Sequence, residues 1–144
     1  MNVLAQGSLS PQGGEYPVAG YIGGDQVHPN VAINASGGYI VWQDNLADGD
    51  GGGIAAQAVN STLSGTYATF RVNEQGAGQQ ENPRVGLLKN GGAVFVWQGG
   101  QPGFQKIYAR FLSSSGTFST GDILVNTYTN QQQINPVVTV LNDG

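Results

Sequence analysis

The sequence predicts an all-β fold: a repeat of four-stranded antiparallel blades, β-propeller-like, left incomplete or completed by oligomerisation. Three observations predict it. First, the chain repeats itself. Val85-Gly86-Leu87-Leu88-Lys89-Asn90-Gly91-Gly92-Ala93-Val94-Phe95-Val96-Trp97-Gln98 restates Val31 to Gln43 with one residue inserted before the Trp, and a further copy starts at Val137. The landmark prolines Pro29, Pro83 and Pro136 are spaced by 54 and 53 residues, a period typical of stacked supersecondary units. Second, no stretch shows a helical period with caps. Third, the segment before each Trp is apolar at consecutive positions, which implies a strand covered on both faces. Small sheets sandwiched between neighbouring sheets are the arrangement of a propeller.

Each unit reads as four short strands. The first is Val31–Ile33 in one copy and Val85–Leu88 in the next. Gly-containing turns follow at 34–38 and 89–92, where Asn90-Gly91 is a strong hairpin signal. The second strand is Tyr39–Gln43 and Ala93–Gln98, and a polar Gly-rich loop comes next. The third is Ile54–Val59 and Ile107–Leu112, closed by turns at Ser64-Gly65 and Ser115-Gly116. The fourth is Thr69–Asn73 and Asp122–Asn126, after which a Gln-rich linker leads to the next Pro.

At the start, Val3-Leu4-Ala5-Gln6-Gly7 matches Ile54–Ala58, and Tyr16-Pro17-Val18-Ala19 fits the fourth-strand slot. The organisation expected is therefore half a unit over 1–27, full units over 28–81 and 82–134, and a first strand with its turn over 135–144. That amounts to about 2.7 units, too few to close a ring of the usual four to eight blades. Head and tail fragments could pair into a composite blade; either the sequence is a piece of a longer array or several chains assemble, and open edges favour pairing between chains.

Composition bounds the partners. The 144 residues are enough for one domain with a sizeable core. Gly is frequent at 24 residues and punctuates strands at regular points, so it is not read as disorder. The net charge is −4, and the five basic residues, Arg71, Arg84, Lys89, Lys106 and Arg110, are scattered. Nucleic-acid binding needs clustered cations, and so does an anionic membrane surface. No apolar run approaches the roughly 20 residues of a membrane helix, so no membrane insertion is expected. Without Cys there is no disulfide, thiolate nucleophile or Cys-based metal site. Met1-Asn2-Val3-Leu4 carries no basic start or long apolar stretch, so export implies a leader removed or lying upstream.

Candidate chemistry is sparse. His28, the only His, precedes Pro29 in a slot that holds Asn82 and Asn135 in the other copies, which marks a turn position. The loop from Asp44 to Gly53 gathers Asp44, Asp48 and Asp50, a candidate Ca²⁺ set. It fails as an EF-hand, because Leu46 and Ala55 stand where ligands belong, and the second copy of the loop has no acid. The alternative is a solvated turn, and no cofactor is expected.

Trp42-Gln43 and Trp97-Gln98 recur in one slot. A ring beside an amide could stack on and hydrogen-bond a sugar; equally, each Trp could fill the space between blades while each Gln satisfies strand ends. Phe104 and Tyr128 are loop aromatics open to the same ligand role. The amide-rich linkers 75–81 and 127–133 could face a ligand or hydrogen-bond the turns between blades. Asn34 and Asn60 fit the N-glycosylation triplet. Glu74, Glu81 and Asp25 are the acids from which a hydrolytic pair would have to be assembled, with no sign of one in their spacing.

The succession of Asn82-Pro83, Gly91-Gly92, Trp97-Gln98, a Gly-rich loop, Ile107-Tyr108-Ala109, Ser115-Gly116 and Val125-Asn126-Thr127 resembles a known repeat type. Such repeats of about 53 residues occur in very large secreted or surface bacterial proteins, beside RTX-type and cadherin-like modules, and in some ciliate proteins. The match runs from Val3 to Gly144, although Gly20-Tyr21-Ile22-Gly23-Gly24 replaces the usual Val-Asn-Thr in the first half-unit. The resemblance implies export or cell-surface display, adhesion or matrix roles, and a propeller-like array. The expected function is a non-catalytic extracellular module for adhesion or ligand binding, with glycans as a ligand class. The alternative is a structural subunit that pairs with other copies or neighbouring repeats into a ring or filament.

Overall fold

The computed structural model describes residues 14–15, 17–62, 68–128 and 130–141. The expected strand at Val3–Gly7, the turn at Ser64-Gly65 and the turn at 142–144 lie outside them. Within them the protein is all-β, with no helix. There are two four-stranded antiparallel sheets, which do not close on themselves. The first holds β1 (Gln26–Asn34), β2 (Gly37–Asp44), β3 (Gly53–Val59) and β4 (Phe70–Arg71). The second repeats it with β5 (Gln79–Leu87), β6 (Ala93–Gly100), β7 (Lys106–Leu112) and β8 (Ile123–Leu124). Each sheet is a simple meander in chain order.

The inserted residue before the second Trp is absorbed outside the strand. β1 turns into β2 through Ala35-Ser36, with Asn34 directly opposite Gly37. β5 turns into β6 through a longer loop, in which Gly91 N–H donates to Leu88 O at 3.0 Å and Gly91 sits at φ 85°. An extra residue inside the strand would have flipped every following side chain. Placed in the turn, it leaves Trp42 opposite Ala55 and Trp97 opposite Tyr108, equivalent sites in the two units.

The sheets pack face to face. Val41, Ile54, Ala56 and Val72 of the first meet Val85, Ala93, Phe95, Trp97 and Leu112 of the second. Four rings knit the seam edge to face, with Tyr39 and Phe95 centred 5.8 Å apart, Phe70 and Phe95 6.3 Å apart, and Phe70 and Phe118 6.0 Å apart. Arg110 caps this cluster: its guanidinium lies 4.0 Å over the Phe118 ring and donates to Val72 O at 2.8 Å. Burial pushes the Tyr39 phenol above the ordinary tyrosine value.

The opposite face of the second sheet is covered as well. Val94, Val96 and Ala109 pack against Val138 and Val140 of the third copy. Those residues have no strand hydrogen bonding, yet they seat so closely that a Cβ on Gly86 would meet Val140 Cγ2 at 2.9 Å. The consecutive apolar positions of β6 are therefore explained: Phe95 and Trp97 serve one interface, Val94 and Val96 the other.

Three expectations need correction. Strand one is longer than its apolar triplet and carries a bulge, with register shifts between Val27 and Asn30 and between Glu81 and Arg84. His28 and Asn82 thus lie within strand one and not in turns between strands, and they and Asn135 adopt φ of 52°, 51° and 58° ahead of their prolines. Asn and His are among the non-glycine residues that tolerate this left-handed region best. Strand four has two ladder residues rather than five. Pro17 to Ala19 form a turn, closed by Gly20 N–H donating to Pro17 O at 3.1 Å, and not a fourth strand.

Phe95 sits where both sheets meet and is fully buried. Phe95→Ala should lower unfolding free energy by about 3–5 kcal/mol, read by urea denaturation followed at the tryptophans.

Candidate functional site

Most of the side-chain hydrogen bonds that link different elements gather on one rim, where β2 leads to β3, β4 to β5, β6 to β7, and β8 to the third copy. The centre of each rim unit is an Asn two residues after strand four. Asn73 Oδ1 accepts from Ile54 N–H at 2.8 Å, while its Nδ2 donates to Gln75 O and Asp48 Oδ2, each at 2.8 Å. Fifty-three residues on, Asn126 Oδ1 accepts from Ile107 N–H at 2.9 Å, while its Nδ2 donates to Tyr128 O at 2.6 Å and Gln133 Oε1 at 3.0 Å. A side-chain amide has taken over the ladder at this point, which is why strand four is short. The linkers then dock by backbone, with Gln80 N–H on Gly52 O at 2.7 Å and Gln133 N–H on Gln105 O at 2.9 Å.

The Trp-Gln pair divides its labour between core and rim. Trp42 is 2% exposed and Trp97 1%. Trp97 stacks on Tyr108 at 6.0 Å inside the sheet seam. Trp42 lines a recess with Ile40, Pro17, Val18 and Ile22. Both indoles are thus almost wholly buried, and Trp97 is stacked within the seam, which places them with the core rather than with an open sugar platform. The amides are taken as well. Gln43 Oε1 accepts from His28 Nδ1 at 3.1 Å. Gln98 Oε1 accepts from Asn82 Nδ2 at 3.0 Å and from the Asn135 backbone at 2.8 Å, and its Nε2 donates to Glu81 at 2.9 Å. Each Gln therefore holds the bulge before Pro, and Gln98 ties two successive units together. His28 has the same structural duty as its Asn counterparts.

The three loop aspartates are staples. Buried Asp44 accepts from Trp42 Nε1 at 3.1 Å and Leu46 N–H at 2.8 Å. Asp48 accepts from Asn73 and from Asp50 N–H at 3.2 Å. Asp50 accepts from Gly78 N–H at 3.2 Å. Among the described residues no three His, Asp or Glu side chains converge in a way that could hold a metal ion. Asp25 Oδ2 is engaged by Asn45 Nδ2 at 3.3 Å, and Glu81 by Gln98 and Gln105.

The remaining candidates are surface groups. Phe104 is 67% and Tyr128 60% exposed. They extend from the same end of the antiparallel β7–β8 pair, since Val125 N–H bonds Ile107 O at 2.9 Å. Between the sheets, a recess of about 40 Å³ lined by Gln75, Gln80, Trp97 and Asp122 has room for a water molecule and not for a sugar ring. Asn34 is exposed at its turn, with Oδ1 accepting from Ser36 N–H at 2.8 Å. Asn60 is half-buried, with Oδ1 accepting from Thr62 N–H at 3.0 Å.

Three rim residues carry more than the sequence pattern indicates. Asn73 and Asn126 left a signal, the recurring Val72-Asn73 and Val125-Asn126. Asp122 left none. Its carboxylate crosses between sheets to accept from Glu74 N–H at 3.0 and 2.9 Å and Gln75 N–H at 2.9 Å, and the first unit has Thr69 in its place. No protein-family model, curated protein or solved structure matches the chain.

Asn73 is 1% exposed, so its loss strands the buried Ile54 N–H. Asn73→Ala should cost about 1–3 kcal/mol of stability, measured by chemical denaturation, and Asn126→Ala less because its surroundings are wetter.

Proposed function

We propose that the chain is a non-catalytic structural module, displayed outside the cell, that builds a propeller-like array by stacking its units. One observation carries this reading: the second sheet is covered on both faces by neighbouring units, through equivalent positions each time. Val85 and Phe95 face the unit before, and Val94 and Val96 face the unit after. The first strands of all three copies also border one groove of about 1000 Å³, lined by Val31 to Asn34, Leu87 to Lys89 and Val140-Leu141. Inner strands around a shared channel are the propeller pattern. The non-catalytic part rests on Asp44, Asp48, Asp50, Glu81 and Asp122, whose carboxylates are engaged in holding loops. The extracellular part rests on the resemblance of the repeat.

Val31 is 49% and Ile33 38% exposed on the first sheet, where the equivalent Val85 of the second is buried, which favours self-assembly through that face. Native mass spectrometry should therefore find multiples of the 14.9 kDa chain. A single 14.9 kDa species at high protein concentration would contradict the reading.

A second reading, adhesion through glycan binding, is favoured by the two exposed rim aromatics. It predicts saturable binding on a glycan array, weakened about tenfold by Phe104→Ala or Tyr128→Ala. Flat responses across the array would remove it, and neither buried Trp takes part.

A further inference from the structure

We propose that Val31 and Ile33 of β1 are a docking strip for residues 136–141 of a second copy of this chain, arranged head to tail. The proposal rests on the stacking reading above and names the contact that makes it. Inside the chain this contact already exists once in full. Val85, 6% exposed, is covered by β1, with its N–H on Asn30 Oδ1 at 3.0 Å and Ala32 packed into the shared core. Val31 is the counterpart of Val85 one unit earlier, paired with Ile40 as Val85 is paired with Phe95. Yet Val31 is 49% exposed and Ile33 38%. They face the side from which a preceding first strand would come.

The complementary strip lies at the other end of the molecule. Val138 and Val140 press on the second sheet, so the alternating residues Val137, Thr139 and Leu141 point the other way. Val137 is 86% and Leu141 70% exposed. They occupy the positions that Asn30, Ala32 and Asn34 hold in β1, the face that covers Val85 in the internal contact. Neither strip contains a charged side chain. The occupant is thus specified by the repeat itself: a first strand seated one unit before β1, presenting Val137 towards Val31. Because the two strips differ, the contact is heterologous, and it propagates into a ring or a filament.

Sedimentation velocity of the full chain and its variants tests this. Val31→Lys with Ile33→Lys, and separately Val137→Lys, should each weaken self-association at least about tenfold. Circular dichroism should stay native, since all three positions are exposed. Mixing the Val31→Asp chain with the Val137→Lys chain should restore assembly, and Tyr128→Ala should leave it unchanged. Wild-type assembly that withstands both sets of lysines overturns this docking mode and leaves the stacking reading standing. A monomeric wild type overturns both.

Discussion

A four-stranded sheet that is apolar on both faces cannot rest in water, and that constraint organises this protein. β6 is the clearest case. Its alternate side chains serve two different interfaces, and both are built from apolar side chains. Removing either neighbour would expose a row of Val or aromatic surface, at about 25 cal/mol for each Å² uncovered. Stability is therefore held between units, as in other repeat architectures where each element is completed by the next. The aromatic cluster of Tyr39, Phe70, Phe95 and Phe118 draws on both sheets, so it belongs to neither alone.

The polar rim follows from the same geometry. Stacked sheets need short connections that cross from one unit to the next without leaving buried amides unpaired. Here amide side chains do the joining. Asn73 and Asn126 replace the last ladder bonds of strand four, and Gln98 reaches from the second unit to Asn135 of the third. Scarcity of charge is consistent with this use: an amide donates and accepts at once, so one side chain can pin two loops. The left-handed residue before each Pro places the bulge where the Gln after Trp can hold it.

The repeat and the meander order were legible because they depend on apolar spacing and Gly-marked turns. The runs Ile40-Val41-Trp42 and Val94-Phe95-Val96-Trp97 predict two-sided burial, which holds for the second sheet, while Val31 and Ile33 stay exposed on the first. What escaped notice depends on register and on side-chain hydrogen bonds. The bulge at His28 and Asn82 has no one-dimensional signature beyond the Pro, which reads equally as a turn. Strand four looked long because Val72-Asn73 and Val125-Asn126 continue its pattern, while the Asn side chain had already ended the ladder. The density of Asp44, Asp48 and Asp50 suggested a cation loop. Each carboxylate instead meets an N–H, a demand that only the folded loop reveals. The aromatic pair Phe104 and Tyr128 could be assigned to loops from sequence, and only the structure puts them on one rim.

If units stabilise each other, they must also unfold together. Native-state hydrogen exchange of the amides of Val41 in β2 and Val94 and Val96 in β6 tests this most directly. The account predicts one common opening free energy for all three, equal to that of global unfolding. Protection that vanishes from the first sheet while the second keeps its own, or the reverse, would show two self-sufficient sheets and contradict it.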